Sequence, residues 1–228
     1  MRILGHRGAS AVEPENTIAA FVRAGELGAD GVELDVRRSA DAALVVHHDA
    51  RLADGRTLVE VAAAVLPDRV PRLRDALVAC GSMYVNIEIK NVAIDPDWDP
   101  DESVAEGVAA LVEELAMTDR VIVSSFGMGA IDAVRAIDPR IATAWLTITA
   151  YDQLRALETA VERGHSALHP HHSVVTEELV TAAHDAGLAL NTWTVDDPAQ
   201  MRRLDALGVD TIVTNDVALA VQTLRGGA

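Results

Sequence analysis

The sequence predicts an α/β protein: a single (β/α)8 TIM barrel over residues 1–228, with a β-hairpin excursion after its second strand. Three observations lead there. Short apolar, β-branched runs alternate with longer segments of helical period. Glycines punctuate several helix ends, and no Pro/Gly/Ser-rich linker or low-complexity block interrupts the series. Repeated β-α units imply a parallel sheet, and about eight of them imply closure.

Ile3–Gly5 is the first strand candidate, and the helical stretch Thr17–Leu27 ends at Gly28. Gly31–Val36 is the second strand. Tyr84–Ile89, Val121–Ser124, Ile141–Leu146, Ser166–His169, Leu188–Thr194 and Thr211–Thr214 follow as further strands. Amphipathic stretches separate them at Glu102–Leu115, Ala130–Ile137, Asp152–Glu162, Glu177–Ala186 and Pro198–Leu207; Gly164, Gly187 and Gly208 stand just past the last three. One apolar run, Ala43–His48, does not fit the alternation. It follows Val36 after only Arg37–Ala42, too short for a parallel crossover. It should return antiparallel, with its turn near Ala40-Asp41, and bring His48 back to the level of Leu34 beside Glu33 and Asp35. That level is the C-terminal mouth, where barrel active sites are built.

Composition narrows the function. Half the residues are hydrophobic but only 3% are aromatic, so the core must be aliphatic. The formal net charge of −16 is the opposite of a nucleic-acid footprint and disfavours attraction to anionic lipid. The single Cys80 excludes an intrachain disulfide, and its setting reads as a buried helix end. No apolar stretch approaches the ~20 residues of a membrane span, so no stable membrane insertion is expected. The N-terminus lacks the apolar region of a signal peptide, and the expectation is a cytoplasmic protein. Nothing in the sequence sets an oligomeric state.

Glu33 and Asp35 lie two apart on one strand, and Glu88 and Lys90 repeat that spacing on another, so each pair shares a face. A solvent-facing strand would explain either pair alone. In a strand sheathed by helices, though, alternating charges must project into the barrel or its mouth, where isolated charge is costly. Three converging carboxylates repel unless a cation joins them or an ion-pair network balances them; hard oxygen ligands suit Mg²⁺, Mn²⁺ or Ca²⁺, and a metal site is the expectation. His6 and Arg7 end the first strand, before Gly8, and share the rim with His48 and Lys90. Two imidazoles with Arg and Lys beside a metal suit phosphoryl transfer. One group takes the nucleophile's proton, another protonates the leaving oxygen, and cations neutralise the equatorial oxygens.

In order along the chain stand His6-Arg7-Gly8, Pro14-Glu15-Asn16-Thr17, Gly28-Ala29-Asp30, Val32-Glu33-Leu34-Asp35-Val36 and Val45-Val46-His47-His48-Asp49. Glu88-Ile89-Lys90, Ser124-Ser125-Phe126 and Trp193-Thr194-Val195 continue the set. This ordered series resembles the glycerophosphodiester phosphodiesterase family across nearly the whole chain. The resemblance implies one divalent cation (Mg²⁺, Ca²⁺ or Mn²⁺) on Glu33, Asp35 and Glu88, with His6 and His48 as the acid/base pair. It implies phosphate contacts from Arg7 and Lys90. Glu15 would support the metal shell or the glycerol end. Phe126 and Trp193 are pocket or core residues, with the pocket expected. Asn16-Thr17 reads as the cap of the first helix, Ser125 as a rim residue, and His47 as pointing away.

The implied substrate is a small glycerophosphodiester whose own glycerol hydroxyl attacks phosphorus. A cyclic phosphate forms, and water opens it. Either histidine can act first as base, since the roles reverse between the half-reactions. Three departures bear on the substrate. Ala50–Pro71 is short where the family often carries a longer cover. Thr214-Asn215-Asp216-Val217 replaces a Thr-Asp-x-Pro ending, leaving Asn215 or Asp216 as a helix cap. His169-Pro170-His171-His172 stands at the end of a strand and reads as a polar rim, the alternative being that His169 touches substrate or a second cation. The acidic run from Asp95 to Glu102 is expected to favour the N-terminus of the next helix. Two rivals stand: a lysophospholipase D- or phospholipase C-type hydrolase on the same barrel, and a catalytically silent binding barrel.

Overall fold

The structure, a computed structural model, describes residues 1–226. In chain order its strands are β1 (Arg2–Gly5), β2 (Gly31–Arg38), β3 (Leu44–Val46), β4 (Tyr84–Ile89), β5 (Val121–Ser125), β6 (Ala142–Thr147), β7 (Ala167–Pro170), β8 (Ala189–Thr192) and β9 (Thr211–Thr214). Its helices are α1 (Ile18–Glu26), α2 (Leu73–Ala79), α3 (Ser103–Glu114), α4 (Met128–Ile137), α5 (Gln153–Glu162), α6 (Glu177–Asp185), α7 (Pro198–Ala206) and α8 (Val217–Arg225). All strands but β3 pair in parallel, each with its neighbour in the barrel, and β1 closes the ring by pairing with both β2 and β9. The result is a TIM barrel of eight parallel strands.

Local chemistry starts and stops the helices. Thr17 caps α1 by accepting from the Ala20 amide, and Asp197 caps α7 ahead of Pro198. The glycines expected after α1, α5, α6 and α7 all hold positive φ, so the chain leaves each helix without a Cβ clash. Helix α2 was not among the expected helices beyond its buried end at Cys80. It has only seven residues, too few for an apolar stripe to declare itself.

The core is aliphatic, and Phe21 is its one fully buried aromatic ring. One cluster packs α1–α4 on β2, β4 and β5; a second packs α5–α8 on β7, β8 and β9. No helix among the described residues is long and apolar enough to cross a membrane.

Strand β2 runs past the barrel rim and pairs antiparallel with β3, in the register Val36↔Val46, Arg37↔Val45 and Arg38↔Leu44. The His47 amide then donates to the Asp35 carbonyl at 3.0 Å, so the chain at His47-His48 runs back beside Glu33 and Asp35. The segment beyond closes on a small core of its own, Val45, Leu52, Leu58, Val61 and Val70.

Candidate active site

A cavity of about 250 Å³ opens at the C-terminal ends of the barrel strands. His6, Arg7, Glu33, His48, Glu88 and Lys90 line one side; Phe126, Leu146, His169 and Trp193 are among those lining the other. Strand alternation does most of the placing. Glu33 and Asp35 share the inward face of β2, Glu88 shares that of β4, and Asp35 and Glu88 are direct register partners. The chain turns sharply after β1 to present His6 and Arg7. Arg7 holds a left-handed φ of 56°, and Gly8 has a φ of 84°. A Cβ on Gly8 would lie 2.6 Å from the Ala20 backbone, so α1 can approach only glycine here.

The oxygens of Glu33, Asp35 and Glu88 come within 4.8 Å of one another, and all three residues are buried. Glu33 Oε2 accepts the Arg7 backbone N–H at 2.9 Å, while Oε1 is buried without a partner. Asp35 Oδ2 accepts from Asn16 Nδ2 at 2.7 Å and lies 3.3 Å from Arg7 Nε. Asp35 Oδ1 faces Lys90 Nζ at 3.0 Å, and the same ammonium pairs with Glu88. Two cations therefore serve three carboxylates, and Glu33 is left short. Burial, then the Asp35 and Glu88 charges, push the Glu33 carboxyl well up. Burial also pushes Glu88 up, against the pull of Lys90. For Asp35 burial is outweighed by Lys90 and Arg7, which hold it below the usual range. An orphaned buried oxygen in an all-oxygen donor set fits a hard divalent cation.

The two histidines are held differently. His6 follows β1, donates its backbone N–H to the Thr214 carbonyl, and places Nδ1 2.7 Å from Asn215 Oδ1. The Asn215 Nδ2 in turn donates to Asp196 Oδ2 at 2.6 Å. A carboxylate only accepts, so the amide's NH₂ faces Asp196 and its oxygen faces His6. His6 therefore carries its proton on Nδ1, leaving Nε2 as the free ring nitrogen. His48 sits on the rim with its side chain 36% exposed, and its Nδ1 lies 2.7 Å from Asp49 Oδ1. Burial lowers the basicity of both rings; Arg7 adds to this at His6 and Lys90 at His48.

The other expected residues scatter more. Glu15 lies outside the cavity, in a neighbouring groove with Asn16 and His47, and pairs with Arg7 Nη1 at 2.8 Å. Phe126 and Trp193 line the cavity edge to face at 5.5 Å, with Lys90 Nζ 6.0 Å from the Phe126 ring. His169 is not a polar rim residue: it is buried in the cavity floor beside Asn191, and burial pushes its imidazole down to about 3. Ser125 is likewise buried rather than on the rim, its hydroxyl donating to the Ile89 carbonyl at 2.7 Å to tie β5 to β4.

Three residues of the site escaped the sequence reading. Asn16 was taken with Thr17 as a cap, yet Thr17 caps alone and Asn16, at a left-handed φ of 57°, turns its amide onto Asp35. Asn215 was taken as a possible cap, but Asp216 caps α8 and Asn215 orients His6. Asp196, in the loop after β8, carried no local signal at all.

Comparison with known proteins agrees with this geometry. Residues 6–219 match the glycerophosphoryl diester phosphodiesterase family. A glycerophosphodiester phosphodiesterase of Caldanaerobacter subterraneus subsp. tengcongensis is 33% identical, over 99% of this chain and 98% of that one. A putative glycerophosphoryl diester phosphodiesterase from Silicibacter pomeroyi superposes with a TM-score of 0.86 at 27% identity, covering 98% of this chain and 93% of that chain. An Oleispira antarctica phosphodiesterase, solved with the product sn-glycerol-3-phosphate, shares the fold with a TM-score of 0.88 at 23% identity, over 98% and 96% of the two chains. With motifs, barrel and matched span in agreement, the chain belongs to the glycerophosphoryl diester phosphodiesterase family.

Proposed function

We propose that this protein, acting as one domain, hydrolyses glycerophosphodiesters to an alcohol and glycerol phosphate. The observation that carries the reading is the shared cavity. Two imidazoles, two fixed cations and the Glu33 and Glu88 carboxylates line one space of about 250 Å³, large enough for a small diester, and the third carboxylate, Asp35, is buried beside them. Glu33, Asp35 and Glu88 would hold one Mg²⁺, Mn²⁺ or Ca²⁺ ion. When bound, that ion supplies charge neutralisation at the phosphoryl oxygens.

The protein's own groups do the rest. Arg7 and Lys90, oriented by Glu15, Asp35 and Glu88, present fixed positive charge to the phosphate. One histidine Nε2 takes the proton from the substrate's glycerol hydroxyl as it attacks phosphorus, and the other histidine protonates the departing alcohol oxygen. The product of this step is a cyclic phosphate. Water then opens the ring with the two roles exchanged, returning both histidines to their starting protonation. The internal hydroxyl gives a high effective concentration and makes a Ser or Cys nucleophile unnecessary. Phe126 and Trp193 close the far side and exclude water.

We propose a cytoplasmic placement for the reaction, which cell fractionation tests. The test of the activity is a panel of glycerophosphocholine, glycerophosphoethanolamine and lysophosphatidylcholine with Mg²⁺, Mn²⁺, Ca²⁺ or chelator. Metal-stimulated release of glycerol phosphate is expected, with a strong loss in His6→Ala. A fully active His6→Ala enzyme, or no metal-stimulated diesterase activity, would overturn it. Preference for the lysophospholipid would favour the lipase reading.

A further inference from the structure

The acidic loop between β4 and α3 does more than favour a helix N-terminus. Asp99 does accept from the Ser103 backbone amide, as that reading requires. Asp95 and Asp97 instead turn toward β2. Arg37, two residues beyond Asp35 on the same strand face, is buried and engages two segments at once. Its Nη1 donates to both Asp97 oxygens at 2.6 and 2.8 Å, its Nη2 to Asp95 at 2.9 Å, and its Nε to the His48 carbonyl at 2.7 Å.

A buried arginine between two carboxylates is an expensive way to fill space; apolar side chains of the same volume stabilise a fold at least as well. What a guanidinium adds is direction. Its planar fork fixes the angles among its acceptors, as a lysine or an aliphatic chain cannot. Here the acceptors are the loop that follows Glu88 and Lys90, and the backbone of His48. The backbone around His48 is pinned at two points, by His47 N–H to the Asp35 carbonyl at 3.0 Å and by the His48 carbonyl to Arg37. Among the described residues the His48 ring makes its side-chain hydrogen bond to the exposed Asp49 alone. We infer that Arg37, clamped by Asp95 and Asp97, is a positioning residue that sets where His48 stands relative to the carboxylate triad.

The inference rests on the diesterase reading, and the experiment separates the two. Wild-type turnover tests that reading; the ratio of variant to wild type tests this one. Arg37→Lys keeps the charge and loses the fork. A displacement of about 1 Å at a catalytic group costs on the order of 100-fold in rate, so its kcat should fall about 10- to 100-fold. KM and the affinity for Mn²⁺, measured by calorimetry, should stay within about threefold. Asp97→Asn, which keeps an acceptor for Nη1, should show the same split at roughly 3- to 10-fold, and serves if the lysine variant does not fold.

A general loosening of β2 would instead weaken Mn²⁺ binding in step with kcat, because Glu33 and Asp35 share the strand. A substrate-independent arm follows the imidazole ¹H–¹³C resonances, with His48 assigned through His48→Gln. In Arg37→Lys the His48 signal should shift or broaden while that of His6 stays. An unchanged His48 signal, a kcat within twofold of wild type, or a parallel loss of Mn²⁺ affinity would overturn the assignment.

Discussion

The two histidines face the same cavity from opposite kinds of structure. His6 ends a barrel strand, is bonded through its own backbone to β9, and has a side-chain partner that is itself held by Asp196. His48 stands on a loop outside the barrel count, beside an Asp49 whose side chain is 74% exposed. Its support comes through the backbone and through a small satellite core that only this excursion uses. One half inherits rigidity from the closed sheet, while the other must be tethered. The barrel therefore supplies a fixed reference, and the excursion supplies the adjustable part of the site.

Removing either imidazole breaks the comparison most directly. His6→Ala and His48→Ala should each lower kcat by about 10²- to 10⁴-fold, the range for loss of a general acid or base; steady-state assays with saturating metal check this. Next in size is Leu58→Ala, which hollows the satellite core. It should destabilise the protein by about 2–5 kcal/mol, read from denaturant unfolding, while leaving Mn²⁺ affinity unchanged. A smaller effect separates the two supports themselves. Asn215→Leu should lower kcat about tenfold without moving KM, whereas Asp49→Asn, at an exposed and screened position, should stay within about threefold. Equal losses in these two variants would contradict the idea of unequal support.

The smallest effect is a pH dependence. Burial and the neighbouring charges raise the Glu33 pKa above its unfolded value, so without metal the folded protein holds that proton more tightly. That contribution is present at low pH and is lost as pH rises through the folded pKa. A cation competes with the same proton, so the rise in Tm caused by Mn²⁺ should be larger at pH 8 than at pH 5. A metal-induced shift that shrinks with rising pH would remove Glu33 from the metal set.

How much of this was legible depended on whether a residue's role was local. The i, i+2 spacing of Glu33 with Asp35 and of Glu88 with Lys90 fixes a shared face by geometry alone, and the sheet then has only one inside. The six residues between Val36 and Ala43 forbid a crossover, which leaves an antiparallel return. Partners that meet only after folding were not legible. Asn215 and Asp196 lie 19 residues apart in neighbouring loops, and each has an adequate local role as a cap or a loop acid. Arg37 and Asp97, 60 residues apart, read as part of the hairpin connection and as one of the acids favouring the next helix, for the same reason. The rim reading of His169 did not hold because a histidine near a strand's end reads the same whether it faces solvent or the cavity.

The closure of the ring also sets when activity can arise as the chain is made. His6 follows the first barrel strand, and its orienting partner Asn215 comes 209 positions later, just past the last strand. A nascent chain that stops short of Asn215 lacks the amide that selects the His6 tautomer. The orientation of His6 is thus complete only once the final strand has docked against the first.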